Sequence, residues 1–261
     1  MKTISTILVP FDFSEVATNA LKYAVHFIQN DPNARIILAH VVEGDISLET
    51  EDKLEQIVTQ YSNSLTNPIV SIIAKGKIID ALLHLQSKTP VDLVIMGTCP
   101  DKSDCHLQSK TSDFVLEAQC PVIVIPTDYT KIDVKKIALI IDKEKIHNNE
   151  VLNVLLDVSR RFNAIVSVLT IVKEDGGYGY TENDEKNEND IIYHLENFYS
   201  HHAFIEDKDI VHGLFNYVEE NDIDLVAILP KNHAETPITS QGKLTKALSQ
   251  QTKIPLLAID L

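Results

Sequence analysis

The chain has 261 residues, of which 44% are hydrophobic and 23% are charged. This length suits two domains of about 130 residues each, and the composition excludes disorder over the whole chain. The formal net charge of −15 at pH 7 opposes non-specific binding to nucleic acid and to anionic lipid, so neither is an expected partner.

The sequence also favours one cellular compartment. No apolar run reaches the roughly 18 residues of a membrane helix, and no signal-peptide pattern is present. We therefore expect a cytoplasmic protein without a membrane segment. The three cysteines Cys99, Cys105 and Cys120 are an odd and sparse set, which favours reduced thiols over a disulfide framework.

The first half of the chain alternates short apolar runs with amphipathic segments, a pattern typical of strands and helices around a parallel sheet. Ser14 and Glu15 are expected to begin the first helix. The predicted strands are Ile4–Val9, Arg35–Val42, Ile69–Ala74, Val91–Met96 and Val122–Ile125, and the later predicted helices are Leu48–Leu65, Ile78–Lys88 and Thr111–Ala118. The fold class is therefore α/β.

The second half repeats this order of elements. Its predicted strands are Lys136–Ile141, Ile165–Val172, His202–Ile205, Leu225–Leu229 and Leu256–Ile259, and its predicted helices are Asn149–Phe162, Ile191–Tyr199, Asp209–Glu220 and Leu244–Gln250. Lys173–Asp190 is rich in charged residues, Asn and Gly and lacks apolar periodicity, so we expect a solvated loop there. No nucleophile motif accompanies His201 and His202, which favours a strand-edge or solvent position over a catalytic one.

Three segments of the first half recur later in the chain. The pairs are Ile7–Asp12 with Ile137–Asp142, Val91–Met96 with Ile223–Ile228, and Cys120–Ile125 with Ile254–Ile259. The offset grows only from 130 to 132 to 134 residues along the chain, so a duplicated unit is the simplest interpretation. We expect one domain at residues 1–128 and a diverged second domain at residues 134–261, with the boundary at Pro126–Val134.

Four segments of the first half, Ile7–Glu15, Leu38–Val42, Asp92–Thr98 and Cys120–Pro126, resemble the universal stress protein family. Members of that family open with a strand ending in Asp and a helix starting with Ser-Glu. The resemblance covers the whole first half. The second half is similar more weakly, through Ile223–Leu229 and Thr252–Ile259, and the layout resembles two-domain members.

The resemblance implies an architecture. It predicts two open, five-stranded parallel-sheet α/β sandwiches of the Rossmann-like, adenine nucleotide alpha-hydrolase type, in tandem. In the family the final strands commonly form the association surface, and Pro121–Ile125 and Pro255–Ile259 occupy that place here. The two domains are therefore expected to pair within the chain as a pseudo-dimer, and a homodimer is a further possible assembly.

The resemblance also implies a ligand site. Ligands of open parallel sheets bind beyond the carboxyl ends of the strands, where the strand order reverses. In family members that bind ATP, the positions that match Pro10, Phe11, Asp12, Val41, Met96 and Gly97 surround the base and the ribose. An alternative for Asp12 is that its carboxylate only caps the helix that begins near Ser14, and the sequence leaves both roles open.

The phosphate loop departs from the family pattern. Nucleotide-binding members carry Gly-x-x-Gly, nine residues, then Gly-Ser or Gly-Thr, because glycines let backbone N–H groups approach phosphate. Gly97 matches the first glycine, but Pro100 stands at the second and provides no N–H. The final pair falls on Lys110 and Thr111 or, aligned backwards from Pro121, on Ser109 and Lys110. Neither pair has a glycine, although Lys110 could neutralise phosphate charge.

Two other segments are weaker candidates for ligand or metal sites. In the second half, Asp142 is retained but no glycine follows Ile228 in Leu229–Asn232, so we do not expect nucleotide binding there. The segment Cys99–His106 contains possible metal ligands, but Cys-x5-Cys-His matches none of the usual zinc spacings. We expect a polar surface loop, and no metal beyond Mg²⁺ carried by a nucleotide.

Two functions remain open on the sequence. The first is a cytoplasmic stress-response module that regulates or binds unknown protein partners and is not an enzyme. The second is a protein that binds ATP or another adenine nucleotide through the first domain, with slow hydrolysis. A hydrolase or metalloenzyme centred on Cys99–His106 is disfavoured, because no set of nucleophile, base and orienting residue can be named.

Overall fold

The computed structural model describes residues 3–99, 107–141, 145–146, 148–172, 180–230 and 243–259. The elements of the first half are β1 (Thr6–Pro10), α1 (Glu15–Ile28), β2 (Arg35–Val42), α2 (Leu48–Ser62), β3 (Val70–Lys75), α3 (Ile78–Lys88), β4 (Leu93–Thr98), α4 (Leu107–Glu117) and β5 (Val122–Pro126). Those of the second half are β6 (Lys136–Ile141), α5 (Glu150–Phe162), β7 (Ile165–Val172), α6 (Glu182–Leu195), a short 3₁₀ helix (Glu196–Phe198), β8 (Tyr199–Glu206), α7 (Ile210–Glu220), β9 (Leu225–Ile228), α8 (Lys243–Gln251) and β10 (Leu256–Ala258).

The strands form one sheet in the order β3-β2-β1-β4-β5-β10-β9-β6-β7-β8. Strand neighbours are parallel within each half, which confirms the α/β class. The two halves have the same strand order and meet through an antiparallel pair, in which Ile123 of β5 lies opposite Leu257 of β10. The expected pseudo-dimer is thus a single sheet that runs through both halves, and the limits 1–128 and 134–261 stay a prediction.

Helices cover both faces of this sheet. Leu21 of α1 and Leu54 of α2 belong to one buried cluster, which continues across the halves to Leu152 of α5. On the opposite face, Leu82 of α3 and Phe114 of α4 belong to a second buried cluster that also spans both halves. Each half is therefore doubly wound, with its first two helices on one face and its last two on the other.

The repeated aspartates of the sequence have the same structural role in both halves. Asp92 Oδ2 accepts hydrogen bonds from the backbone N–H groups of Ser5 (3.1 Å) and Thr6 (3.0 Å) at the start of β1. Asp224 Oδ2 accepts them from Lys135 (2.7 Å) and Lys136 (3.0 Å) at the start of β6. Each carboxylate satisfies two successive N–H groups of the neighbouring strand, so the recurring Asp is explained by folding alone.

The prediction of a loop over Lys173–Asp190 is wrong for its last part. Helix α6 begins at Glu182, behind a capping box in which Thr181 Oγ1 accepts from the Asp184 N–H and Asp184 Oδ2 accepts from the Thr181 N–H. This cap stabilises the start of a helix with little apolar periodicity. The predicted helix Ile191–Tyr199 is wrong at its end, because Tyr199 already begins β8.

Helix α6 covers a polar cluster on the outer strands of the second half. The Glu188 carboxylate accepts hydrogen bonds from the hydroxyls of Tyr180 (2.6 Å) and Tyr199 (2.5 Å). It also lies 3.8 Å from His202 Nδ1, and His202 Nε2 lies 2.9 Å from Thr170 Oγ1. The strand-edge position expected for this histidine is confirmed, since β8 is the last strand of the sheet, but its side chain is only 2% exposed.

Stability at mildly acidic pH is expected to depend on His202. Burial lowers the pKa of His202, and the nearby carboxylates of Glu188 and Asp184 do not fully offset this effect. The folded state therefore binds fewer protons than the unfolded state, whose histidine has a pKa of about 6.5. The free energy of unfolding must consequently fall as pH drops through that range.

Urea unfolding at pH 7 and pH 5 tests this expectation. Between these two pH values the free energy of unfolding should decrease less in His202→Gln than in the wild type. The exposed neighbour His201→Gln is the control, and an equal acid loss in wild type and His202→Gln would contradict the assignment.

The two halves also contact each other through their helices. On one face, Lys246 Nζ of α8 lies 3.0 Å from Asp113 Oδ1 of α4. On the other face, Arg161 of α5 donates to Asp31 Oδ2 (2.8 Å) and to the Ile4 carbonyl, and its guanidinium lies 4.9 Å from the centre of the Phe27 ring. Polar and aromatic contacts thus reinforce the β5–β10 pair on both sides.

The cysteines correct one expectation. Cys99, next to the end of β4, is disulfide-bonded, so the prediction of reduced thiols is wrong for this residue. An odd and sparse set of cysteines argues against a framework of several disulfides, but it cannot exclude a single bond. Cys120 is a buried thiol, and Gln86 Nε2 lies 3.0 Å from its sulfur.

Candidate functional site

The candidate site lies where the strand order of the first half reverses. Strand β1 pairs with β2 on one side and with β4 on the other. The helix after β1 covers one face of the sheet, whereas the helix after β4 covers the opposite face. The chain segments beyond β1 and β4 therefore diverge and leave a crevice at the carboxyl ends of these strands.

One cleft in this crevice brings together eight of the nine residues predicted from the sequence. They come from the ends of three strands and the first turns of α4: Pro10, Phe11, Asp12, Val41, Met96, Gly97, Lys110 and Thr111. The side chain of the ninth, Ser109, lies outside the described residues. Segments more than 80 residues apart in sequence thus meet at one place.

Asp12 is exposed at the mouth of the cleft. Its Oδ1 accepts a hydrogen bond from the Ser14 N–H at 3.0 Å, and Ser14 is the N-cap of α1, since Ser14 Oγ accepts from the Ala17 N–H at 3.1 Å. The capping role considered for Asp12 therefore belongs to Ser14. Asp12 instead fixes the turn that leads into the helix.

The residue between them has an unusual backbone. Phe13 has a φ of +65°, a left-handed conformation that is uncommon for a bulky side chain and costs about 1–3 kcal/mol. Its ring packs 4.9 Å from the His40 ring and 5.3 Å from the Phe11 ring, and His40 Nδ1 lies 2.8 Å from the Phe11 carbonyl oxygen, so this nitrogen donates. These contacts hold the turn that places Asp12 and Ser14 on the cleft wall.

Gly97 is required by close packing. A Cβ at this position would lie 2.3 Å from Val16 Cγ1 and 2.7 Å from the Val16 carbonyl oxygen, so any side chain would push α1 away from β4. Thr111 Oγ1 donates to the Gly97 carbonyl at 2.9 Å. The retained glycine therefore joins α1, β4 and α4, a role that does not depend on phosphate.

Comparison with known proteins places this half of the chain in a family. Residues 3–126 match the model of the universal stress protein family. This match assigns the first half of the chain to that family. No curated protein matches the sequence.

Solved structures show how far the universal stress protein architecture extends. A universal stress protein from Archaeoglobus fulgidus DSM 4304 is similar over 99% of this chain and 97% of its own, with a TM-score of 0.71 at 12% identity. A functionally unknown protein from Pseudomonas aeruginosa PAO1 is similar over 98% of this chain and 92% of its own, with a TM-score of 0.68 at 13% identity. These likenesses show a shared fold over both halves.

A shorter relative carries a ligand. The structure of another universal stress protein, in complex with cAMP, covers 49% of this chain and 100% of its own, with a TM-score of 0.39 at 16% identity. Nucleotide binding is thus a property of that family member.

The cleft of the first half is narrow. Its cavity is about 50 Å³, whereas small-molecule pockets usually measure about 300–1,000 Å³. A ligand of nucleotide size therefore requires residues at the mouth to move. Pro100 and the rest of residues 100–106, which join β4 to α4 in the sequence, lie outside the described residues.

Five further residues line the cleft that were not among the predicted site residues: Ser14, Val16, Ala17, Ala39 and Ile78. Ala39 could have been found, because residues two apart on a strand share a face and Val41 was predicted. Val16, Ala17 and Ile78 come from the starts of helices on opposite faces of the sheet. Their approach depends on packing, for which the sequence carries no local signal.

Other functional predictions from the sequence concern different parts of the chain. Asp142 and residues 231–242 of the second half lie outside the described residues, as do Asp101, Asp104, Cys105 and His106. Among the residues that the structure does describe, no group of three or more His, Cys, Asp or Glu side chains could hold a metal ion. None of the helices in the described ranges has the length and apolar character that crossing a membrane requires.

Proposed function

We propose that this universal stress protein is a cytoplasmic regulatory module that binds an adenosine-containing ligand in the cleft of its first half. The observation that carries the proposal is the convergence at the β1–β4 switch point of residues from β1, β2, β4 and α4. Those from the ends of β1, β2 and β4 match the positions that surround the base and the ribose in family members that bind ATP, and those from α4 match the phosphate-loop positions. In this site the Asp12 carboxylate would accept hydrogen bonds from ribose hydroxyls, and the apolar side chains of Val41 and Met96 would contact the base.

A second candidate is an interaction module that binds no nucleotide. The cavity of about 50 Å³ favours it, because a site that must open loses part of its binding free energy to that change. In this case the shared fold would serve to present surfaces to protein partners. The two candidates differ in their response to adenosine.

Calorimetric titration and thermal unfolding with adenosine and adenine nucleotides separate the candidates. A ligand that binds only the folded state must stabilise it, by about 2.7 kcal/mol at one hundred times its dissociation constant. Under the first proposal, adenosine or a nucleotide gives saturable binding and a raised Tm. If no ligand at millimolar concentration with Mg²⁺ gives binding heat or raises the Tm, the first proposal is refuted and the interaction module is retained.

The variant Asp12→Asn tests the site. It keeps an oxygen to accept the Ser14 N–H but removes the charge offered to the ribose, so affinity should fall about tenfold, the loss of one charge-assisted hydrogen bond. Asn148→Ala is a control outside the cleft, because Asn148 Oδ1 accepts the Glu150 N–H at 3.0 Å in the turn that leads into α5. Binding that is unchanged in Asp12→Asn would refute the role given to this residue.

A further inference from the structure

Strand β3 forms the outer edge of the sheet in the first half. Among the described strands it pairs with β2 alone, in a regular parallel register over all six of its residues. The Gly76 N–H, just after the strand, donates to the Val42 carbonyl of β2 at 2.9 Å. Backbone groups alternate between the two edges of a strand. The N–H and C=O groups of Ser71, Ile73 and Lys75 therefore point away from the sheet.

This outer edge is open to solvent. At its amino end the Ile69 N–H is already bound, because it donates to Ser62 Oγ at 3.0 Å. Further along the strand, no group within the described ranges binds the outward N–H and C=O of Ser71 or Ile73, and Ser71 and Lys75 are exposed. The backbone of β3 is thus available to hydrogen bond with a further strand.

The composition of β3 favours pairing with another strand. Natural edge strands usually carry Lys, Pro or a bulge, which keep other strands away. Ile69–Ala74 contains no charged residue, Pro or Gly, and Val70 is 47% exposed; uncharged segments of high β-propensity are the ones that pair between chains. The opposite edge strand, β8, differs, since its register with β7 shifts between Val166 and Val168, and such an irregularity bends an edge away from a partner.

Two observations favour a second copy of this chain as the partner. The two halves already join through antiparallel edge strands, by three residue pairs centred on the equivalent residues Ile123 and Leu257, and β3 offers six residues for the same kind of contact. The charges of β3 also suit an antiparallel copy. Lys75, which lies 3.2 Å from Asp45, is at the carboxyl end of the strand. An antiparallel pair places it beside the uncharged amino end of the other strand, whereas a parallel pair would bring two lysines together.

We infer that two copies of the chain associate through an antiparallel pair of their β3 strands, related by a two-fold axis. The ten-stranded sheet of one copy then continues into that of the other. The contact does not involve the cleft, so the inference is independent of the proposed adenosine site.

Sedimentation equilibrium of the full chain, from micromolar to submillimolar concentration, tests the inference. We expect an equilibrium between monomer and dimer without larger species. The dimer should become more stable as salt increases, because two chains of net charge −15 repel each other and salt screens that repulsion. A monomer at every concentration, a series of larger oligomers or dissociation of the dimer by salt would each overturn the inference.

The variant Ser71→Pro locates the contact. It removes an N–H that points away from β2, so the fold should be retained, while the dissociation constant of the dimer should rise at least about tenfold. Its control, Ser71→Ala, keeps the N–H and should form the dimer as the wild type does.

The variant Val70→Lys is a second test, on a side chain that is 47% exposed. The added cation lies near Lys75 of the partner subunit in the antiparallel pair, so it should weaken the dimer, whereas Val70→Thr should not. Circular dichroism and thermal unfolding show which variants are folded. A folded Ser71→Pro or Val70→Lys variant that dimerises like the wild type would refute the β3 contact.

Discussion

Replacing Asp224 by Ala is expected to lower the free energy of unfolding by about 3 kcal/mol. The carboxylate is 5% exposed and accepts hydrogen bonds from the Lys135 and Lys136 N–H groups and from Lys131 Nζ. Removing it leaves two backbone donors at the start of β6 without an acceptor, and such groups are costly when they are shielded from water. Urea unfolding followed by circular dichroism measures the change.

The repeat provides a comparison within the same chain. Asp92→Ala removes the equivalent acceptor from the N–H groups of Ser5 and Thr6. We therefore expect it to lower the free energy of unfolding by a similar amount. The exposed Glu219→Ala controls for the loss of a negative charge and should change stability by less than about 0.5 kcal/mol. A loss below 1 kcal/mol in both aspartate variants would show that other contacts secure the strand starts.

The effect of Asp224→Ala on stability is expected to depend on pH. Burial opposes ionisation of Asp224, but the hydrogen bonds from Lys131, Lys135 and Lys136 outweigh it and hold the pKa of the carboxyl below its usual value. A carboxyl with a lowered folded-state pKa stabilises the fold above the unfolded pKa of about 3.9, and this contribution disappears as pH falls through the folded value. The difference between wild type and Asp224→Ala should therefore shrink in acid.

Regular elements with a strong pattern could be predicted closely from the sequence. The bounds of Arg35–Val42, Ile78–Lys88, Lys136–Ile141 and Ile165–Val172 are confirmed by the structure, because short β-branched runs and an amphipathic period leave few alternatives. Helix α6 was missed in part because Asp184 and Asn187 are buried on its inner face. A helix that buries polar side chains has no hydrophobic stripe to reveal it.

The candidate site was accessible to sequence reasoning only through topology. The rule that ligands bind at the ends of parallel strands pointed to Pro10, Val41 and Met96, and the structure brings these residues to one cleft. The packing of Gly97 against Val16 and the hydrogen bond from Thr111 depend on distances between separate elements. No spacing along the chain encodes such distances.

Replacing Arg161 by Ala is expected to destabilise the protein by about 3 kcal/mol. The side chain is 11% exposed and contacts the first half at Asp31 and the Ile4 carbonyl, while its Nε lies 3.3 Å from Asp157 Oδ2 of its own helix. Its loss removes the cation from the partly buried carboxylates of Asp31 and Asp157 and the guanidinium from the Phe27 ring.

The variant Arg161→Lys distinguishes charge from geometry. A lysine restores the positive charge but cannot direct donors to Asp31, Asp157 and the Ile4 carbonyl together, so about half of the loss should remain. The exposed Lys88→Ala in the last turn of α3 is the control for removing a cation from the last turn of a helix. Full recovery in Arg161→Lys would show that only the charge matters.

Arg161→Ala also tests whether the contact between the two halves affects ligand binding in the cleft. Ile4 precedes β1, so Arg161 binds the chain at the amino end of the strands, whereas the cleft lies at their carboxyl end. One alternative is that the second half is required only to stabilise the first half, through the β5–β10 pair and Arg161. In that case Arg161→Ala lowers the stability of the protein, and its ligand affinity stays within twofold of the wild type. A tenfold change in affinity would instead mean that the packing of the two halves sets the opening of the narrow cleft, and the second half would then be part of the ligand response.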